Sequence, residues 1–147
     1  MNVPHSVRWI AIAFCTLAWL GCGKTPELSL PPRHPVQGKV LHRGQPAKGF
    51  RVTFHPQGDF GPLQFAPSGI TAPDGSYRLR SYDPDDGAPI GEYAVTIEWP
   101  DHIIEANDPD PKPVVDRLRG AYADPLRSKF KATVVAGQND VPPFAIP

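Results

Sequence analysis

The sequence predicts an all-β domain, an antiparallel sandwich of about seven short strands with at most one short helical turn. Three observations predict it. Apolar and polar residues alternate in twos over several segments, the signature of strands with one buried face. Clusters of Gly, Pro and Asp punctuate those segments at short intervals, as turns do. The chain also has 20 prolines among its 147 residues, far above the usual ~5%, which disfavours long helices and favours short strands joined by stiff loops. This length suits one domain.

Residues 1–21 stand apart from the fold. His5 and Arg8 precede an apolar run from Trp9 to Leu20, which as a helix reaches about 18 Å, short of a bilayer core of about 30 Å. A signal peptide fits better than a spanning helix. Residues 22–35 contain four prolines and few apolar side chains, and read as an extended tether reaching up to roughly 40 Å from its anchor at about 3.1 Å per residue.

The domain is expected over residues 36–147. Val36, Gly38 and Val40 alternate, RGQPAKG turns the chain, and Phe50, Val52 and Phe54 alternate on the return, which predicts a hairpin pairing residue 41 with residue 50. Residues 56–67 form a breaker-rich loop. Residues 68–72 make a short strand, Pro73-Asp74-Gly75 a turn, and residues 77–82 pair back. In that second strand Tyr77 and Leu79 face inward, with Arg78 and Arg80 outward. The longest strand runs from Glu92 to Trp99, with Tyr93, Val95, Ile97 and Trp99 on the core face and Ala94, Thr96 and Glu98 on the solvent face. Val114 to Arg119 is the candidate helical turn, opened by Pro113 and ended by Gly120. Phe130, Ala132 and Val134 alternate again, and the closing VPPFAIP is confined by its prolines to a sheet edge.

The segment AWLGC, residues 18–22, resembles a bacterial lipobox, in which a small residue precedes a cysteine that is lipidated and becomes the mature N-terminus. The resemblance implies lipidation at Cys22. Trp19 stands where leucine is usual. Anchoring by two or three acyl chains is effectively permanent, so the membrane is an expected partner. The protein is then exported to a membrane facing the periplasm or cell surface, the outer membrane preferred because Gly23 lacks an acidic retention signal. Removing the leader also removes Cys15, leaving one cysteine of the 2 and no disulfide within the domain.

Further along, Gly38, Val40, Gly44, Pro46, Gly49, Val52 and Phe54, then Thr71, Asp74, Gly75 and Tyr77, then Pro89, Gly91 and Tyr93 resemble the turn motifs of carboxypeptidase regulatory-like domains, in that order. Ala72 and Pro73 replace the usual acidic pair. The resemblance covers residues 36–99 and implies a transthyretin-like, Ig-like antiparallel sandwich used as an accessory module.

Catalytic and cofactor chemistry find little support. Basic and acidic side chains both number 15, so no bulk charge steers the chain onto nucleic acid. No serine lies in a nucleophile elbow, no glycine-rich loop leads into a phosphate-binding helix, and the paired carboxylates lie in loops that would not hold their separation. The histidines are scattered, with His34 in the tether and His42 and His55 far apart on the predicted hairpin, so no zinc site is expected. Asp83, Asp85 and Asp86 only superficially resemble a calcium loop, since Pro84 intervenes; turn stabilisation is their expected role. No enzyme activity and no cofactor are therefore expected. The function expected is a non-catalytic, lipid-anchored extracytoplasmic module with a structural or protein-interaction role, its envelope partner unidentified. The alternative is surface carbohydrate binding through Phe60, Phe65 and Tyr82, aromatics that no strand pattern assigns inward. Arg51, Arg78 and Arg80 are expected outward on neighbouring strands, a solvated face that could meet an anionic glycan or a partner protein.

Overall fold

The computed structural model describes residues 30–58, 65–104 and 107–147. Among them there is no helix, and the strands form a two-sheet sandwich as the alternation predicts. In chain order they are β1 (Arg33–His34), β2 (Val36–His42), β3 (Gln45–Pro46), β4 (Arg51–Pro56), β5 (Ser68–Ile70), β6 (Ser76–Arg78), β7 (Ala88–Pro89), β8 (Gly91–Glu98), β9 (Phe130–Val134), β10 (Asn139–Asp140) and β11 (Phe144–Ile146). One sheet is centred on β2, flanked by β3 and β6 on one side and by β10 and β11 on the other; the second has the order β5-β4-β8-β9.

The predicted hairpin between β2 and β4 does not form. Arg43 and Gly44 both take positive φ, 54° and 76°, and make a two-residue turn that returns the chain onto β2 immediately, with Leu41 opposite Pro46 and His42 opposite Gln45. Such a turn matches strand twist when both central residues are left-handed. The chain then crosses to the other sheet through Gly49, at φ 77°. Thr71 fastens this crossing: its hydroxyl accepts from the Phe50 amide at 2.8 Å and donates to the Ala47 carbonyl. β2 and β4 thus face each other across the core instead of sharing a ladder. RGQPAKG holds two turns, and alternation reports a strand's face but not its partner.

The core forms between the sheets from Val36, Val40, Tyr77, Leu79, Phe144 and Ile146 on one side and Phe50, Val52, Phe54, Tyr93, Val95 and Ile97 on the other, all buried. Arg78 and Arg80 are exposed, as the alternation predicts. β8 departs from expectation on its second face, because Ala94 and Thr96 are buried too, at 0% and 3% exposure. It is an inner strand between β4 and β9, and His55 reaches from β4 to hydrogen-bond the Thr96 hydroxyl at 2.8 Å.

The chain end joins the β2 sheet in parallel. Asn139 pairs with Val36, and Phe144 with Val40, so the register slips by one residue across Pro142-Pro143, which have no amide hydrogens to give to a ladder. β1 pairs with β7 in a separate two-stranded ribbon, so Arg33 and His34 belong to the folded domain and the tether ends before them. No helical turn forms at residues 114–119. Instead the Asp116 carboxylate accepts from the amides of Trp99, Leu118 and Gly120 at 2.8–3.0 Å, folding this loop along the edge of β8 beyond β9. Arg119 and Gly120, at φ 54° and 73°, end the turn where a Gly stop is expected.

Candidate functional site

The loop between β6 and β7 is built around one carboxylate. Asp86 accepts from the amides of Ser81 at 2.6 Å and of Tyr82 and Asp83 at 3.1 Å, the turn-stabilising role expected of this acidic stretch. The Ser81 hydroxyl donates to the Gly87 carbonyl at 2.6 Å. Gly87 has φ 83°, and a Cβ there would lie 1.8 Å from the His34 carbonyl oxygen. Only glycine lets β1 approach so closely. That approach brings Arg33 onto the loop, its Nε 3.0 Å from Asp86 Oδ2. Burial pushes the Asp86 carboxyl up, but the three amides and the Arg33 charge outweigh it and hold the group below its ordinary value.

Tyr82 projects from this loop, exposed. Its ring centroid lies 4.5 Å from that of Phe65 at an interplanar angle of 57°, and the Arg33 guanidinium carbon sits 5.1 Å from it, a cation–π distance. Arg33 Nη1 is buried without a hydrogen-bond partner among the described residues. Two of the three predicted contact aromatics, Phe65 and Tyr82, therefore meet. Phe60 and the predicted lipidation site, Cys22, lie outside the described residues. Arg33 and Asp86 complete the cluster, and the sequence carries no local signal for Arg33, because its place depends on a non-local strand pair.

The other predicted residues separate. Arg51 lies on β4 with its guanidinium 4.0 Å from Glu98, whereas Arg78 lies on β6 in the other sheet, 3.8 Å from Asp85. The expected arginine face is thus divided between two sheets, because alternation could not assign their strands to sheets. His42 packs in an aromatic cluster, its ring 5.6 Å from Phe50 and 5.4 Å from Trp99, while Phe50 and Trp99 stack at 4.9 Å and Arg117 lies over the indole at 5.1 Å. His34 is in β1, where its Nδ1 accepts from the Gly137 amide at 3.0 Å. His102 bonds Asp101 at 2.8 Å. Among the described residues, no three His, Cys, Asp or Glu side chains are grouped to hold a metal.

No protein-family model matches the chain, and no curated protein matches it. Solved structures that align with it include a 9R-lipoxygenase from Cyanothece PCC8801, 15% identical over 79% of this chain and 17% of that one, with a TM-score of 0.43. A DUF3823 family protein from Parabacteroides merdae aligns at 16% identity over 76% of this chain and 45% of that one, TM-score 0.37. The dioxygenase domain of a dioxygenase carbohydrate-binding protein fusion from Streptomyces sp. SirexAA-E aligns at 19% identity over 82% and 84%, TM-score 0.38. The chain spans less than half the length of the first two. At these TM-scores and identities, none of the three bears on what this chain does.

Proposed function

We propose that the chain is a non-catalytic, lipid-anchored β-sandwich module of the extracytoplasmic envelope, with a structural or protein-interaction role. Its leader is residues 1–21, its anchor Cys22, and its folded domain begins at Arg33. The observation that carries the non-catalytic reading is how the carboxylates are spent. Asp74, Asp86, Asp101, Asp116 and Asp124 each accept a hydrogen bond from a backbone amide in their own loop or a neighbouring one. They shape turns and do not converge on a shared cleft, whereas acid–base catalysis needs titrating groups within reach of one substrate atom. The anchor rests on the lipobox resemblance of residues 18–22. Fractionation of cells expressing Cys22→Ser tests it. The variant moves from the membrane to the soluble fraction, and equal retention with the unsubstituted chain would refute the anchor. Purification of the anchored form with its bound protein identifies the partner, and turnover of any substrate by the purified chain would sink the non-catalytic part.

A second reading, surface glycan binding, draws on the contact between Phe65 and Tyr82 beside Arg33. Aromatic faces flanked by a cation suit a sugar ring bearing an acidic group. Polysaccharide pull-down separates the readings: retention lost in Phe65→Ala and Tyr82→Ala, and in Phe60→Ala if that residue contributes, supports glycan binding, and unchanged retention removes it.

A further inference from the structure

β9 is an outer strand, hydrogen-bonded to β8 and to no other strand among the described residues. The Ile97 amide bonds the Tyr122 carbonyl at 3.1 Å, on the β9 side of β8, while the Glu92 carbonyl accepts from Gln57 on the β4 side. Odd-numbered residues of β8 therefore point their main-chain groups toward β9. With Gly91 opposite Val134, Tyr93 opposite Ala132 and Val95 opposite Phe130, the β9 residues engaged are Phe130, Ala132 and Val134. Lys131 and Thr133 direct their N–H and C=O groups away from the sheet. Both residues are exposed.

This edge borders a groove of about 440 Å³ between the two sheets, lined by Lys131, Ala132, Thr133, Val135, Val141 and Pro142 among others. Asn139 fixes its upper end: its side chain accepts from the Val135 amide at 2.9 Å and donates to the Val135 carbonyl at 3.0 Å. Most other edges are blunted by proline, and β6, an outer strand without one, is only 3 residues long. β3 contains Pro46, β5 is flanked by Pro67 and Pro73, and β10 and β11 are interrupted by Pro142-Pro143. β9 has no proline. Its own charge is Lys131, with Lys129 just before it lying 5.2 Å from the Tyr122 ring; Arg127 is paired with Asp124 at 4.0 Å, and Glu92 of β8, opposite Thr133, is the one acid on the stretch of β8 that pairs with β9. The nearest acid on the groove, Asp140, accepts a hydrogen bond from Gln37 at 2.7 Å.

We propose that this edge docks an extended, acidic peptide segment of a partner protein as an added strand. The proposal rests on the interaction-module reading and names its surface. Main-chain groups of Lys131 and Thr133 supply the ladder, and Ala132 and Val141 receive small apolar side chains. The lysines, which elsewhere guard an edge against indiscriminate pairing, here choose the partner. A glutamate-bearing strand is attracted, whereas a lysine-bearing strand or a second β9 meets like charge.

Titration of the purified ¹⁵N-labelled full chain with an N-acetylated octapeptide of alternating valine and glutamate tests this. Saturable shifts confined to Lys129–Val141, with slowed exchange at the Lys131 and Thr133 amides, are expected. The matching valine–lysine peptide binds about tenfold more weakly, and a glutamate peptide N-methylated at alternate residues does not bind. Lys131→Glu reverses the charge preference without touching the ladder to β8; Thr133→Pro removes one outward N–H and weakens binding. Shifts centred elsewhere, equal binding of both charged peptides, or no saturation at millimolar peptide overturn the proposal. If the edge fails while an envelope protein still co-purifies with the anchored chain, only this surface is wrong. If no protein ever co-purifies, the module reading itself fails.

Discussion

Tyr77 and Tyr93 are both shut away from water, 2% and 1% exposed, yet their hydroxyls fare differently. Tyr93 donates to the Pro89 carbonyl at 2.7 Å, whereas the Tyr77 hydroxyl has no hydrogen-bond partner among the described residues. Burial pushes the Tyr93 phenol up to about 12 and the Tyr77 phenol further still, so both stay protonated donors. An unmade hydrogen bond costs more than a made one contributes, and the two Phe variants therefore differ in sign. Tyr77→Phe raises stability by about 1 kcal/mol and Tyr93→Phe lowers it by about 1 kcal/mol, read from urea midpoints at unchanged slope. Equal losses in both would mean that the Tyr77 hydroxyl is satisfied by bound water. Beside it, Gly38 is spacing rather than turn chemistry: a Cβ there would lie 2.6 Å from the Tyr77 hydroxyl oxygen and 2.8 Å from Cζ. Gly38→Ala costs about 1–3 kcal/mol by overpacking. Alternation alone placed Tyr77 inward, but a missing partner depends on neighbours distant in sequence and leaves no trace in the local pattern.

Among the elements, β2 carries most of the architecture, and its sequence, VQGKVLH, shows a strand without showing its neighbours. The β2–β3 turn was partly legible in Gly44, since glycine tolerates positive φ; Arg43 in the same region was not. The parallel attachment of β10 and β11 was illegible for a different reason. Their prolines argue for an edge, and they are at one, but no short-range signal distinguishes a parallel edge from an antiparallel one. β11 nevertheless sends Phe144 and Ile146 into the core at 6% and 2% exposure. Each is worth about 1.5–3 kcal/mol on full burial, so deleting residues 144–147 removes about 3–6 kcal/mol, a large share of a typical domain's 5–15 kcal/mol. The truncated chain loses its cooperative thermal transition, and Ile146→Ala alone costs about 2–4 kcal/mol; a truncated chain that melts as the full one does would show that β11 only rests on the sandwich. Asp116 acts at the same scale. Asp116→Ala frees the amides of Trp99, Leu118 and Gly120 together, costs about 1–3 kcal/mol, and accelerates hydrogen exchange at all three.

For the whole molecule, the two-sheet architecture was readable because period-two alternation and turn chemistry recur along the chain, each needing only a few residues. Which strands share a sheet was not readable, and neither was the Arg33–Asp86–Tyr82 cluster that depends on it. The same network of local carboxylates and one histidine sets the molecule's response to acid. Burial lowers the His55 pKa, opposed in part by Glu98. The neutral imidazole is thus favoured in the fold, and the unfolded chain binds its proton first, near pH ~6.5. Stability contributed by this group is present above that pH and is lost as pH falls through the folded value. Asp74, held down by the Ser76 hydroxyl, Asp101, held down by the Val115 amide, and Asp86 all have lowered pKa values. Their contributions persist above the unfolded carboxylate value of about 3.9 and disappear as pH drops through the folded values. Urea midpoints measured from about pH 8 to about pH 3 therefore descend twice, first below ~6.5 and again below ~4. His55→Gln, which can keep a hydrogen bond to Thr96, flattens the first descent and leaves the second. An unaltered first descent in that variant would assign it to another group, and a flattened second one would couple His55 to loops on other elements of the sandwich.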